Sequence, residues 1–323
     1  MIKEDIIKIL NENKGKYLSG EILAGDFKVT RSYISQIMKE LKKSGFIISA
    51  STRKGYCFEG VGNDLNEDIM YYQLLNQKFI NKVIYFDTLP STNQYIKDNV
   101  DEMNGNTLVV AGKQTEGRGR RGRSFVSDEN GLYFSIFLRS RIDIAETPFI
   151  TSVAAAAVLD SVLKVGAAAE VKWPNDILCH GKKVCGILTE MSSDPEQTYY
   201  IIVGIGINLY NESFPDEISD IATSLKMEGI EVNKTDFLFD VIKNFSTYYG
   251  EYENGNKKAI LTRLKKYSCI IGKTVKFNYG GEVLTAKAVD LNENGNLTVE
   301  NDKYGKLSLN SGEISLFKEG RRD

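Results

Sequence analysis

The sequence predicts an α+β protein. Its N-terminus reads as a winged helix-turn-helix unit, and its centre as a mixed β-sheet flanked by helices. Three observations predict it. Apolar residues recur at helical spacing over the first 45 positions and give way to a short hairpin pattern. From residue 82 onward strand and helix patterns follow one another without strict alternation, which argues against a doubly wound sheet. The 323 residues also exceed what one core usually organises, since domains run to about 100–200 residues.

The first helix is expected over residues 2–11, where Ile2, Ile6, Ile9 and Leu10 share a face. Lys14-Gly15-Lys16 breaks it, and Ser19 is placed to cap a short second helix reaching Ala24. Thr30 caps a third helix that runs to about Lys43 and stops at Gly45. In that helix Ile34, Ile37, Met38 and Leu41 must face a core. Ser32, Ser35, Gln36, Lys39 and Lys43 project away from it, joined by Arg31 and Tyr33 near its start. Hydroxyls, an amide and basic groups on one face suit a helix laid in a DNA major groove. Phe46-Ile47-Ile48 and Tyr56-Cys57-Phe58 then form a hairpin whose tip carries Arg53 and Lys54, able to reach a phosphate backbone. A merely solvated helix face would explain any one of these features, but not their sum. Residues 61–81 read as a linker, helical over 64–76, with Leu65, Ile69, Tyr72 and Leu75 on one face.

In the centre, strands are expected at 82–86, 107–111, 132–138, 170–173, 183–191 and 199–209. Helices are expected from Ser91 to about 99, at 236–252 and at 257–267. An alanine-rich helix starts at Thr147-Pro148, read as an N-cap followed by proline in the first helical position, and ends near Gly166.

Composition narrows the chemistry. The net charge of −2 is uneven: residues 1–60 hold 11 Lys and Arg against 7 Asp and Glu, so the small unit is basic and the remainder acidic. That imbalance points to an anionic partner for the N-terminal unit. No apolar run approaches the ~20 residues of a membrane span. The opening MIKEDIIKILNENKGK is too mixed in charge for a signal peptide, and a cytoplasmic protein is expected. Cys57, Cys179, Cys185 and Cys269 lack CxxC spacing and read as reduced, partly buried thiols. The single histidine, His180, stands in a polar turn, so chemistry that needs several histidines is excluded; no metal-ligand cluster is expected.

Four segments carry candidate chemistry. Gly117-Arg118-Gly119-Arg120-Arg121-Gly122-Arg123 places four arginines in seven residues between two apolar strands. Glycine admits an anion close to the backbone, and arginine adds a permanent charge with a bidentate fork. The segment is one short loop, unlike the long repetitive RGG tails that bind RNA, and it lacks the GxxxxGK[ST] pattern of a P-loop. Lys172, at a strand end in Val171-Lys172-Trp173-Pro174-Asn175-Asp176, stands beside the only tryptophan, although an isolated lysine at a turn is more often solvated. Ser91-Thr92-Asn93-Gln94 either caps a helix or offers hydroxyls and an amide to a polar ligand. Gly204-Ile205-Gly206-Ile207-Asn208 follows a strand but precedes no helix, so a Rossmann reading is weak.

In order and spacing, Ser-Thr-Asn, GRGRRGR, KWPND and GIGIN resemble the biotin–protein ligases, and the likeness covers nearly the whole chain. The first 60 residues look like the winged helix of the bifunctional members, which repress biotin synthesis genes. Residues from about 270 resemble the family's SH3-like β-barrel, with Gly272-Lys273-Thr274-Val275, a Gly280-Gly281 turn and a Gly312-Glu313-Ile314-Ser315-Leu316 ending. The resemblance implies a winged-helix domain at 1–60, a linker at 61–81, a ligase domain at 82–269 with the class II aminoacyl-tRNA synthetase-like sheet, and a C-terminal domain at 270–323.

It also implies roles. Ser91, Thr92 and Asn93 match the segment that binds the biotin head group, and Gln114 with Arg118, Gly119 and Arg120 the loop that folds over biotin and its adenylate. Lys172 matches the lysine that meets the biotin carboxylate and α-phosphate, making Lys172, Arg118 and Arg120 the catalytic candidates. Arg120, Arg121, Asn175 and Asn208 fall on the nucleotide side. DNA contact falls to Arg31, Ser32, Tyr33, Ser35, Gln36, Lys39, Arg53 and Lys54. Ser124-Phe125 stands where some relatives have Lys-Trp, which bears on how the loop packs. The substrates would be biotin and ATP with Mg²⁺, and the product of the first step biotinyl-AMP. The partners would be a biotin carboxyl carrier protein, operator DNA and, in the adenylate-bound form, a second copy of the chain. A lipoate-type ligase, a biotin sensor without catalysis and a ligase that no longer regulates are the rival readings.

Overall fold

The computed structural model describes residues 2–139, 146–193, 199–310, 312 and 314–316. At the N-terminus α1 (Ile2–Glu12), β1 (Tyr17–Leu18), α2 (Gly20–Asp26), α3 (Arg31–Lys43), β2 (Phe46–Ser51) and β3 (Gly55–Val61) build the expected winged helix, its sheet ordered β1-β3-β2. The caps are the anticipated ones: Ser19 Oγ accepts from Glu21 N, and Thr30 Oγ1 from Tyr33 N at 3.2 Å. Ile34, Ile37, Met38 and Leu41 are buried. Gly55, at the hairpin tip, has φ +96°, and a Cβ there would lie 2.0 Å from Leu18 O, so the wing is pressed onto β1.

The segment read as a linker is structural. Its helix α4 (Glu67–Leu74) starts on the side chain of Asn66 and buries Ile69, Met70 and Tyr72. The Tyr72 ring lies 5.3 Å from Phe58 and 5.9 Å from Phe46, so α4 closes the winged-helix core. The reason is amphipathicity: a helix that carries Ile69 and Tyr72 on one face must bury that face somewhere.

The central sheet is ordered β4-β5-β6-β10-β9-β8-β7. Its strands are β4 (Lys82–Leu89), β5 (Thr107–Gln114), β6 (Gly131–Leu138), β7 (Ala169–Lys172), β8 (Asp176–Cys179), β9 (Lys182–Ser193) and β10 (Tyr199–Asn208). Only the β4–β5 pair is parallel, its crossover made by α5 (Thr92–Asp98); the other pairs are antiparallel. All eight residues of β6 are buried. α6 (Thr147–Lys164) is apolar on nearly every side because α8 (Lys234–Glu253) and α9 (Lys257–Lys266) cover it. The residue before its first turn is Glu146 rather than Thr147; the Glu146 carboxylate accepts from Tyr252 and Lys257, 2.7 Å each, which ties α6 to its neighbours. Among the strands and α-helices of this central unit two were not anticipated: β8, whose four residues sit between two turns, and the single turn α7 (Asp216–Ser219).

At the C-terminus β11 (Thr274–Tyr279), β12 (Glu282–Leu291), β13 (Leu297–Asn301), β14 (Gly305–Leu309) and β15 (Ser315–Leu316) form an antiparallel sheet ordered β14-β13-β12-β11-β15. Gly280 and Gly281 both take positive φ in the β11–β12 turn. Glu313 of the expected closing motif lies outside the described residues. Trp173 Nε1 donates to Gly295 O at 2.9 Å and fastens this unit to the turn after β7. Among the described residues no helix is long and apolar enough to cross a membrane.

Ile69→Ala should cost about 2–5 kcal/mol of stability, read as a lowered urea midpoint of the winged-helix transition. A change under about 0.5 kcal/mol, the scale of a neutral surface substitution, would mean that α4 is not part of that core.

Candidate functional site

Ser91, Thr92 and Asn93 open α5 and are each 4% exposed, held under the sheet rather than displayed in a loop. Each has defined partners. Ser91 Oγ accepts from Gln94 N, the bond of a helix cap. Thr92 N donates to Gln114 Oε1 at 2.9 Å, and Thr92 Oγ1 lies 2.6 Å from Ser135 Oγ. Asn93 Nδ2 donates to Glu190 Oε2 at 2.8 Å and to Leu188 O at 3.3 Å. Gln114, at the end of β5, donates in turn to Ser127 Oγ at 3.1 Å.

Gly204 and Gly206 lie inside β10, within the strand expected at 199–209. Their place is explained by what crosses them. A Cβ on Gly204 would fall 2.3 Å from Asn93 Oδ1, and one on Gly206 would fall 2.7 Å from the Phe125 ring. The glycines are gaps in the sheet surface into which a polar amide and an aromatic ring settle.

The arginine–glycine loop is a tight finger. Gly119 N donates to Arg123 O at 2.7 Å and Phe125 N to Gly117 O at 2.8 Å, while Arg121, at φ +57°, and Gly122, at φ +74°, turn the tip. Gly117 tolerates no side chain, since a Cβ there would meet Phe125 O at 2.3 Å. The four arginines do different things. Arg118 reaches across to Gln94 Oε1 at 2.8 Å, and Arg120 donates to Asn175 Oδ1 at 3.3 Å. Arg121 and Arg123 are exposed. The Arg120 guanidinium is held below the ordinary arginine range, first by burial and then by Arg121, with Asp176 offsetting part of it. It stays charged, so its environment favours an added anion.

Two connected spaces result. An inner pocket of about 50 Å³ is lined by Ser91, Thr92, Asn93, Gln114, Arg118 and the β9 and β10 glycines. An outer cleft of about 440 Å³ is lined by Arg120, Arg121, Arg123, Lys172, Asp176 and Lys183 among others, with Ile314 reaching in from the C-terminal unit. Gly119, Arg120, Phe125, Asn175 and Lys183 border both. Ligand pockets usually measure about 300–1,000 Å³, so the outer cleft is of ligand size and the inner pocket is an extension of it.

The predicted residues therefore converge, with three adjustments. Lys172 is half-buried and borders the outer cleft alone. Asn208 borders that cleft but is 4% exposed, and its Nδ2 is spent on Thr223 O at 2.9 Å, so it holds the wall more than it offers a donor. Lys183, not singled out from the sequence, is the lysine at the junction. Its Nζ lies 2.7 Å from Asp176 Oδ1 and 5.8 Å from the Phe125 ring centroid. In the sequence it only opens the strand expected at 183–191. The available signal was strand alternation, which sends neighbouring side chains to opposite faces, together with Gly186 three residues on. Elsewhere, His180 is exposed and pairs with Glu228. Among the described residues no group of three or more His, Cys, Asp or Glu is arranged to hold a metal.

In the N-terminal unit Arg31, Ser32, Tyr33, Gln36 and Lys39 are exposed on α3, and Ser35 is half-buried among them. Gln36 Nε2 is engaged by Glu40 at 3.0 Å. Arg53 and Lys54 are exposed at the wing tip, and Lys54 lies 5.5 Å from the Tyr17 ring centroid.

The chain is 32% identical to the bifunctional ligase/repressor BirA of Bacillus subtilis (strain 168) over 98% of both chains. The chain belongs to the biotin–protein ligase family. Three family models agree in sequence order: an HTH domain matches residues 3–57, the biotin/lipoate A/B protein ligase family residues 85–208, and the biotin protein ligase C-terminal domain residues 270–316. The Escherichia coli (strain K12) ligase/repressor is 27% identical over 94% of both chains. Among solved structures, the biotin protein ligase from Aquifex aeolicus in complex with biotin and ATP superimposes with a TM-score of 0.65 at 30% identity. It covers 74% of this ligase and all of the Aquifex chain.

Gly204→Ala should displace the Asn93 amide from Ser135 and Glu190, leave buried polar atoms unpaired and cost about 1–3 kcal/mol. Denaturant unfolding of the variant checks it; unchanged stability would mean that the amide is not pressed against this strand.

Proposed function

We infer that this chain is a biotin–protein ligase and biotin-responsive repressor. It joins biotin to ATP as biotinyl-AMP, passes the biotinyl group to a lysine of a biotin carboxyl carrier protein, and binds operator DNA through its winged helix. One observation carries the reading: a pocket of neutral hydrogen-bonding groups and a cationic cleft share a wall formed by Arg120, Asn175 and Lys183. Biotin has a neutral cyclic urea at one end and a carboxylate at the other, and the carboxylate must meet a triphosphate.

The first step sets anion against anion. The carboxylate oxygen attacks the α-phosphorus and pyrophosphate leaves. Lys183 and Arg120 sit where the two charges meet, with Lys172 on the phosphate side, and fixed cations in a closed site lower the barrier more than they would in water. Arg121 and Asn175 border the nucleotide side, and Asn208 secures its wall. Of the side chains that line the outer cleft Asp176 is the carboxylate, and it would be the residue to hold a Mg²⁺ ion brought with ATP. When bound, the ion neutralises phosphate charge.

The product is a mixed anhydride that water would cleave. Arg118 and Gly119, folded over the inner pocket, exclude it. In the second step the carrier lysine amine attacks the acyl carbon and AMP leaves. No enzyme nucleophile is required. The thiols offer none: all four cysteines are buried and free, and burial pushes Cys179 up to about 12 and Cys269 up to about 11. Free, inert thiols also suit a reducing cytoplasm.

For regulation, the adenylate-bound form pairs two copies, so that two α3 helices meet a palindromic operator on a shared two-fold axis. Arg31, Ser32, Tyr33, Ser35, Gln36 and Lys39 face the groove, and Arg53 and Lys54 take phosphates.

Mixing the chain with biotin, ATP and a biotin carrier domain should add one biotinyl mass to the carrier in a mass spectrum; an unmodified carrier would refute the ligase. In that assay Lys183→Gln and Lys172→Gln should each lose at least about tenfold in adenylation, about 1.4 kcal/mol or more of barrier, with the fold retained. A wild-type rate for either removes that lysine from the reaction. Gel shifts on the DNA upstream of biotin synthesis genes should tighten when biotin and ATP are both present. Equal binding in their absence would end the co-repressor idea.

A further inference from the structure

Beneath the inner pocket lies a chain of hydrogen bonds that ends outside it. Lys97 Nζ donates to Glu190 Oε1 at 2.7 Å, and Glu190 Oε2 accepts from Asn93 Nδ2 at 2.8 Å. Ser135 Oγ, fully buried, lies 2.5 Å from Asn93 Oδ1 and 2.6 Å from Thr92 Oγ1. We propose that Glu190, clamped by Lys97, sets the proton direction of the Ser135–Thr92 hydroxyls. Thr92 then meets a ligand only as an acceptor, and the pocket selects a head group that supplies an N–H. This inference rests on the biotin-ligase reading and deepens it.

The argument is proton counting. A carboxylate accepts and does not donate, and the same holds for the Leu188 carbonyl. Asn93 must therefore turn its NH₂ toward both, whichever way an amide is first assigned. Its Oδ1 then faces Ser135 and can only accept, so Ser135 spends its single proton on Asn93. At 2.6 Å the Ser135–Thr92 contact needs a proton too, and only Thr92 has one left to give. Gln114 provides no alternative donor: its Oε1 accepts from Thr92 N and lies 3.2 Å from Thr92 Oγ1, a longer contact for the Thr92 proton than the one to Ser135, and its Nε2 donates to Ser127 Oγ. The Thr92 hydroxyl is left with lone pairs toward the pocket. A free threonine hydroxyl rotates to donate or accept as required; this one is locked. A cyclic urea, with N–H on both sides of its carbonyl, satisfies it. A head group with acceptors or sulfur alone, such as a dithiolane, does not.

Glu190→Gln breaks the lock in a defined way. Two donors, the Lys97 ammonium and the Asn93 amide, then compete for one oxygen. The ammonium takes it, and the remaining NH₂ confronts the Asn93 NH₂, so only the longer bond to Leu188 O, at 3.3 Å, still favours the original direction of the amide. Adding Lys97→Met returns the glutamine oxygen to Asn93 and restores the original direction.

The test is calorimetric titration of the full chain with biotin and with its two cyclic carbamate analogues, in each of which one ureido N–H becomes a ring oxygen of nearly equal size. The wild type should bind one carbamate at least about 100-fold more weakly than biotin, since a buried acceptor facing an acceptor is strongly rejected. In Glu190→Gln that discrimination should fall below tenfold, with the KM for ATP unchanged, and in the double variant it should return. Both carbamates binding the wild type within threefold of biotin would overturn the proposal. So would full discrimination in Glu190→Gln, or a double variant no better than the single one, which is what a purely structural ion pair predicts. If Glu190→Gln does not fold, the wild type and the double variant decide the matter alone. No biotin binding by the wild type would instead remove the ligase reading itself.

Discussion

The ring of Phe125 rests on bare backbone, and the rest of the site hangs from that contact. Residues 186 and 206 are glycines on neighbouring strands, and a Cβ at either would meet the ring within 3.1 Å. The ring anchors the end of the arginine–glycine finger, whose start is fixed at Gly117 by the bond from Phe125 N. The spacing between those two points decides that Arg118 reaches Gln94 while Arg120 reaches Asn175. Lys183 lies over the same ring, so the cation nearest the junction of the two spaces is positioned by the residue that holds the loop. Whether relatives carry Trp or Phe here, the demand is for a flat apolar side chain and two glycines beneath it.

Much of this was legible in the sequence, because the informative residues are unusual in kind. Four arginines and three glycines in seven positions have few structural explanations, and Ser91-Thr92-Asn93 after a proline marks a helix start under any reading. The winged helix was legible down to its caps because periodicity and capping chemistry are local. What escaped was non-local. Lys183 takes its meaning from Phe125, 58 positions away in the chain, and from the cleft they share. Gly204 and Gly206 fall in an expected strand, but nothing local says that their missing side chains make room for Asn93 and Phe125. Ser135 and Glu190 drew no notice at all, since a serine in an apolar strand and a glutamate in a β-strand are ordinary until their partners are known. The stretch 61–81 passed for a linker because its destination, the space against Phe46 and Phe58, is set by tertiary packing.

Each flanking unit shares a continuous apolar core with the central domain and adds polar contacts at its edge. The start of α8 grips the chain after the wing: Asn233 Nδ2 donates to Gly62 O at 3.0 Å and Thr235 Oγ1 to Asp64 O at 3.0 Å, while Tyr210 bonds Asn63. On the other side Trp173, within the cleft wall, is held by Gly295 O. These contacts join the winged-helix unit and the C-terminal unit to the domain that carries the cleft.

Hydrogen exchange at the backbone amides of residues 117–124 tests the central claim most directly. If the finger closes over one ligand that spans both spaces, biotin with ATP should slow exchange there by about tenfold or more, a difference well within the range of local opening energies, while either substrate alone should do less. Exchange that is the same with and without the two substrates would mean that this loop does not enclose them, and the account would fail with it.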